Sequence, residues 1–247
     1  MSVEPLTRYS LRTLFSEVVG LIAPSLCLGC GCETLWADDA LCPDCHAALG
    51  RLSGDLCGKC AQPLPCEPCP ALNAPWEAAV AACGHGGTAT ELVTELKQSG
   101  ARRVASAMAV EIVTAAPAGF WDSCALVPVA PHPSRRRASG VDHAFELAKA
   151  LGRLTGRPVI RTLKRSGPAA RQAGASLKER TTGGRLKFAC KVAPAPQIAL
   201  IDDVYTTGTT LASAARCLAA NGADSIRVAS FSRAVSKIAS VPGRSDW

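Results

Sequence analysis

Aromatic residues make up only 4% of this chain and charged residues only 19%, while 48% of its 247 residues are hydrophobic. Scarce aromatics argue against an aromatic-rich β-sandwich. The core has to be built from Val, Leu, Ile and many alanines, which suits helices packed on a parallel sheet. Low charge with high apolar content excludes a disordered chain, and the length allows one ordinary core plus a smaller module. A bilayer-spanning run is also missing: the apolar stretch Leu14–Cys27 is interrupted by Glu17 and Pro24 and falls short of the roughly 18 to 20 residues required. It lacks a basic start and a small-residue cleavage site. These absences predict a cytoplasmic protein with no membrane insertion and with reduced thiols. A Gly-x4-Gly-Lys-Ser/Thr loop is absent as well, so a phosphate must be bound by other means.

Cysteine, by contrast, is abundant, with 13 in the chain. Eight form C-x-x-C pairs: Cys27 and Cys30 with Cys42 and Cys45, then Cys57 and Cys60 with Cys66 and Cys69. Each set offers four thiolates for a tetrahedral Zn²⁺, with Zn–S distances of about 2.3 Å, and a four-thiolate site has no open position, so its role is structural. Only five residues separate Cys60 from Cys66, which leaves one site or two. Cys32 is a substitute for a neighbour in the first set. A redox dithiol fits less well, because such motifs sit on a thioredoxin-like strand and helix. Cys83, Cys124, Cys190 and Cys217 read as isolated core residues. Residues 27–70 are dense in Cys, Gly and Pro and need a staple to fold. The chain therefore divides into a metal-stapled segment, residues 1–72, and a main domain, residues 73–247.

The main domain alternates. "AAVAAC" reads as a strand, followed by the helical patterns "TATELVTELKQ" and "RRVASAMAVEIVTAA". "CALVPVA" is a buried strand and "DHAFELAKALGRL" a helix. "PVIRTL" and "QIALIDDV" are strands, "TLASAARCLAANG" is a helix stopped at Gly222, and "SIRVASFS" is a strand. This order predicts an α/β fold with a parallel sheet flanked by helices. Residues 164–196, rich in Gly, Lys, Arg and Pro, break the pattern and read as a lid or hood.

In "ALIDDVYTTGTTL", residues 199–211, an apolar strand runs into two carboxylates and a Thr/Gly cluster just before a helix. Ligands of α/β sheets bind beyond the carboxyl ends of the strands. There the unpaired N–H groups and dipole of the helix N-terminus favour a phosphate. Gly208 permits close approach, and Thr206, Thr207, Thr209 and Thr210 add hydroxyl donors. Asp202 and Asp203 repel a phosphate, but they accept hydrogen bonds from neighbouring hydroxyls or help place a divalent cation. A ribose 5-phosphate satisfies both halves, with its 2′,3′-diol on the acids and its phosphate on the turn. Helix capping alone would explain fewer of these residues.

Charge is distributed unevenly. Residues 1–72 hold 4 Lys/Arg against 8 Asp/Glu, whereas residues 131–191 hold 15 against 3, a balance suited to a phosphate-rich partner or to a solvated face.

The stretch "ALIDDVYTTGTTL" is similar to the phosphoribosyl pyrophosphate (PRPP) motif of type I phosphoribosyltransferases. With the upstream C-x-x-C pairs it makes the chain resemble the ComF family of competence proteins from about Cys27 to Phe231. "ELKQSG", "LVPVAPHPSRRRASG" and "RQAGASLKER" resemble further family segments. Where many members read Arg-Gly-Phe-Asn-Gln, this chain has Ser139, Gly140, Val141, Asp142 and His143. The resemblance implies a phosphoribosyltransferase-like fold that binds PRPP with Mg²⁺. It implies that Ser134, Arg135, Arg136 and Arg137 meet the pyrophosphate, that Arg165, Arg171, Lys178 and Arg180 lie on the hood, and that the phosphoribosyl group passes to an acceptor. It equally accommodates a non-catalytic factor in DNA uptake that binds single-stranded DNA or a helicase. None of His46, His85, His132 and His143 is singled out as a general base.

Overall fold

The computed structural model describes residues 25–34, 39–100, 102–131, 140–166 and 187–235. In chain order its elements are α1 (Pro43–Ala47), β1 (Ala78–Gly84), α2 (Gly87–Ser99), α3 (Arg102–Ala115), β2 (Ala125–Pro128), α4 (His143–Thr155), β3 (Leu163–Ser166), β4 (Lys187–Cys190), β5 (Gln197–Tyr205), α5 (Thr209–Ala219) and β6 (Ser225–Arg233). Strands β1, β6, β5 and β2 lie side by side in that order, all parallel. Such a sheet must be covered on both faces, and the runs Ile198–Ile201 and Val228–Phe231 are accordingly buried throughout.

The two faces carry different helices. Ala199 and Ile201 pack with Leu92 and Leu96 of α2, Met108 and Ile112 of α3, and Leu147 and Leu151 of α4. Ile198 and Leu200 pack with Leu211, Ala214 and Leu218 of α5. Helix α4 shows why the assignment holds locally. Ala144, Leu147, Ala148 and Leu151 form its buried stripe, the Asp142 carboxylate accepts the Phe145 N–H at 3.2 Å, and Gly156 ends it in the left-handed conformation.

One strand expectation is corrected. "PVIRTL" contributes only a single bridge, Val159 beside Leu126, and the strand starts at Leu163, where β3 pairs antiparallel with β4 in a separate two-stranded ribbon. Pro158 begins that stretch, and polar Arg161 and Thr162 divide its apolar residues, so no continuous buried run remains to join the sheet. The two ribbon strands flank residues 167–186 of the stretch expected to form a hood, and those residues lie outside the described ones.

The cysteine-rich segment is stitched to the exposed edge of β1. The Leu52 N–H donates to the Ala82 carbonyl at 2.9 Å, the Gly84 N–H to Gly50 at 3.0 Å and the Ala79 N–H to Gly58 at 2.7 Å. The segment thus covers backbone groups that would otherwise invite pairing with another chain. Arg51 adds a side-chain tie: its Nε and Nη2 both reach the Glu111 carboxylate of α3 at 2.7 Å, and its Nη1 donates to the His46 carbonyl. Among the described residues, no helix is long and apolar enough to cross a membrane.

Candidate phosphate turn and metal clusters

Strand β5 leads into α5 on one face, whereas the chain beyond β2 leads into α4 on the other. The crevice between the carboxyl ends of these neighbouring strands is where an open α/β sheet binds ligands. The end of β5 places Asp202, Asp203 and the turn Thr206–Gly208 there. Thr206, Thr207 and Thr209 are exposed, Thr210 is half-buried and Gly208 is buried. Thr207 and Thr209 share a hydroxyl hydrogen bond of 2.9 Å. Gly208 has φ +76°, and a Cβ there would stand 2.8 Å from Cε2 of Tyr205, so neither the conformation nor the space admits a side chain. A cavity of about 300 Å³ opens beside the turn, with Thr207, Thr209 and Arg216 on one side and Cys69, Asn73 and Trp76 on the other. A larger cavity of about 640 Å³, between α3 and residues 39–49, shares no residue with the turn.

The two acids are not equivalent. Asp203 is buried, with Lys97 Nζ of α2 at 3.0 Å and His143 Nε2 at 3.8 Å from its Oδ2. Burial works to raise its pKa, but His143 and Lys97 outweigh that and hold the carboxyl below the usual range. Asp202 is half-buried and accepts the Asp203 N–H at 3.0 Å. Desolvation first, and then the Asp203 charge, push its carboxyl well above the usual range. Donor atoms of His143, Asp202 and Asp203 all lie within 4.8 Å of one another. Sequence reasoning set His143 aside and missed Lys97 as a partner. Their convergence depends on the placement of α2 and α4, although the acids themselves were legible.

Replacing Lys97 with Met should reveal this electrostatic balance. Lys97 is 37% exposed on its side chain, so solvent screening limits the loss at neutral pH to about 1 kcal/mol. Because the Asp203 pKa is depressed on folding, its stabilisation is complete above the unfolded value of about 3.9 and is lost as pH falls through the lower folded value. The gap between Lys97→Met and the wild type should therefore close on acidification. Urea unfolding at a series of pH values measures it.

Of the other sequence candidates, Ser134, Arg135, Arg136, Arg137, His132, Arg171, Lys178 and Arg180 lie outside the described residues. The Arg165 guanidinium sits 5.7 Å from the centre of the Phe188 ring. His85, exposed at the end of β1, reaches the Ser232 hydroxyl at 3.0 Å, and His46 lies 3.3 Å from Glu111.

The second cysteine set converges as expected, and in the first Cys32 takes the place expected for Cys45. The Sγ atoms of Cys57, Cys60, Cys66 and Cys69 lie within 4.8 Å of one another, as do those of Cys27, Cys30, Cys32 and Cys42. Cys45 joins the first group at its border: its N–H donates to Cys42 Sγ at 3.4 Å, and its sulfur would stand 2.8 Å from a Cβ on Gly29. Glycine at position 29 is what allows the loop to close so tightly. Burial works against a thiolate at Cys27, yet N–H groups from Cys42 and Gly29 at 3.2 and 3.4 Å help bring its pKa down to about 6. Cys57 is lowered to about 7 against burial by the Lys59 and Cys60 N–H groups. Each cluster thus brings at least four sulfurs together, a donor set that fits tetrahedral Zn²⁺.

The expectation of four isolated cysteines is corrected for two of them. Cys190 of β4 and Cys217 of α5 bring their sulfurs within 3.7 Å, because the ribbon packs against α5.

No model of a known protein family matches the chain. Comparison with curated proteins finds "DNA utilization protein YhgH" of Escherichia coli (strain K12), 26% identical over 223 residues, covering 84% of this chain and 96% of that protein. It also finds "Competence protein ComFC" of Bacillus subtilis (strain 168), 26% identical over 206 residues, covering 75% of this chain and 80% of the relative. Both similarities cover most of the chain, and both relatives carry names that concern DNA use or competence.

Proposed function

We propose that the carboxyl edge of β5 and its following turn bind a ribose 5-phosphate ligand, PRPP above all, in a ComF-type cytoplasmic protein that serves the use or uptake of DNA. The observation that carries this reading is the exposed group Thr206, Thr207 and Thr209 around left-handed Gly208, directly after the acid-bearing strand. Backbone N–H groups and hydroxyls there suit a terminal phosphate. Asp202 and Asp203 suit the ribose diol, with Asp202 the more accessible. Residues 1–72 act as the metal-stapled module, holding Zn²⁺ at both clusters, and residues 73–247 carry the ligand site.

Mg²⁺ prefers oxygen donors and retains water, and Lys97 already neutralises Asp203. The pyrophosphate oxygens of PRPP would therefore be its main ligands. When bound it offsets the charge of the leaving pyrophosphate. Lys97 contributes positive charge beside Asp203, with the His143 ring 3.8 Å away, while Ser134–Arg137 are the candidates to meet the pyrophosphate itself.

Calorimetric titration tests the binding. The wild type should bind PRPP more tightly with Mg²⁺ than without it, and 2-deoxyribose 5-phosphate about tenfold more weakly than ribose 5-phosphate, the scale of one hydrogen bond. Asp202→Ala should erase that difference. Equal affinity of the wild type for the two sugars would defeat the diol assignment. PRPP-dependent pyrophosphate release that disappears in Asp203→Ala would identify a phosphoribosyltransferase, whereas binding without release would identify a PRPP-responsive factor.

The names of the two relatives support a second reading, a direct DNA-binding role with single-stranded DNA or a helicase as partner. Several described cations of the basic region are already paired: Lys149 with Glu146, Arg161 with Asp142 and Arg157 with Asp122. Contact would therefore fall mainly to Ser134–Arg137. Fluorescence anisotropy of a labelled single-stranded oligonucleotide should lose affinity steeply with salt, and replacing Arg135, Arg136 and Arg137 with alanine should flatten that dependence.

A further inference from the structure

Arg233, the last residue of β6, is 2% exposed. A charge so buried is tolerated only when its donors are satisfied. Its Nε donates to the Cys60 carbonyl at 2.9 Å. Its Nη1 donates to the Tyr205 carbonyl at 2.9 Å, to the Ala234 carbonyl at 2.8 Å and to the Thr206 carbonyl. The guanidinium carbon lies 3.9 Å from the centre of the Tyr205 ring. One rigid planar group therefore grips a member of the second cysteine cluster on one side and the first residue of the phosphate turn on the other.

A second bridge runs alongside. Tyr205, whose ring excludes any side chain at position 208, meets Trp76 edge to face at 5.9 Å, and Trp76 Nε1 donates to the Lys59 carbonyl, inside the Cys57–Cys60 loop, at 2.9 Å. Cys69 also lines the cavity beside the turn. The second cluster is thus a wall of the phosphate pocket as well as a staple.

We propose that Arg233 is a positioning residue that couples metal occupancy of the Cys57–Cys60–Cys66–Cys69 cluster to phosphate binding at the Thr206–Thr210 turn, a proposal that rests on the ligand reading of that turn. Metal fixes the Cys57–Cys60 loop and with it the Cys60 carbonyl. Arg233 transmits that position to the Thr206 peptide, whose orientation aims the Thr207 N–H. Linkage requires the converse: phosphate bound at the turn must tighten metal at the cluster by the same factor.

The experiment follows zinc release from the full, zinc-loaded chain to a colorimetric chelator, with and without saturating ribose 5-phosphate, in the wild type, Arg233→Met and Arg233→Lys. Ribose 5-phosphate should slow one of two release phases by about 5- to 10-fold in the wild type, a typical coupling factor. It should have no effect on Arg233→Met and an intermediate effect on Arg233→Lys, which keeps the charge but loses the fork. Should Arg233→Met fail to fold, the wild-type and Lys measurements decide alone. Calorimetry on the same samples separates the failures. No binding of ribose 5-phosphate to the wild type sinks both the ligand reading and the coupling. Binding with unchanged zinc release, or equal slowing in all three proteins, overturns the coupling while leaving the ligand reading intact.

Discussion

Stripping zinc from the chain with a strong chelator should lower its melting temperature by at least about 10 °C, the shift expected for several kcal/mol in a domain of this size. The reason lies in what the cysteine segment has for a core. Cys27, Cys42 and Cys60 are themselves among its few buried residues, so removing the metal leaves converging thiols and little apolar packing. The loss extends further, because residues 50–58 cover the edge of β1. Their release would expose an unpaired strand, and light scattering should rise with unfolding. The first cluster has four sulfurs within 4.8 Å of one another and a fifth, that of Cys45, in contact with Cys27, Cys30 and Cys42. Cys32→Ser and Cys45→Ser should therefore each keep two zinc equivalents, while the double variant keeps one. Metal analysis of the purified proteins checks this, and loss of a zinc equivalent from either single variant would remove the spare-ligand account.

Gly208→Val should abolish measurable ribose 5-phosphate binding, with at least about a 30-fold loss of affinity, while zinc content stays at the wild-type level. At φ +76° a side chain costs roughly 1–2 kcal/mol from backbone conformation alone, and a β-branched residue is the least tolerant of that region. The Cβ would also press on Tyr205 at 2.8 Å, so the turn must rearrange and its N–H groups lose their common aim. Thr207→Val is the milder comparison. It removes one hydroxyl and its bond to Thr209 and should cost about tenfold. Wild-type affinity in Gly208→Val would mean that phosphate binds elsewhere.

Much of the architecture was legible because its periodicities are strong. The run Ile198–Ile201 ending in two acids and the helix read from "DHAFELAKALGRL" each reflect a local rule that tertiary contacts did not overrule. Expectation and structure parted around Pro158–Leu163, where Arg161 and Thr162 break the apolar run and the chain passes into a separate ribbon.

The amino-acid order alone determined which residues have the chemistry: paired thiols at knuckle spacing, adjacent carboxylates, and hydroxyls around a glycine at a helix start. Those properties are local, set by side-chain type and by separations of a few residues. Which groups meet across the fold was decided only when the helices took opposite faces of the sheet. That packing brings Lys97 and His143 to Asp203, Cys190 to Cys217, and Arg233 to both Cys60 and Thr206. Such contacts span up to 173 positions, a range over which hydrophobic burial and strand register, rather than any local pattern, set the neighbours.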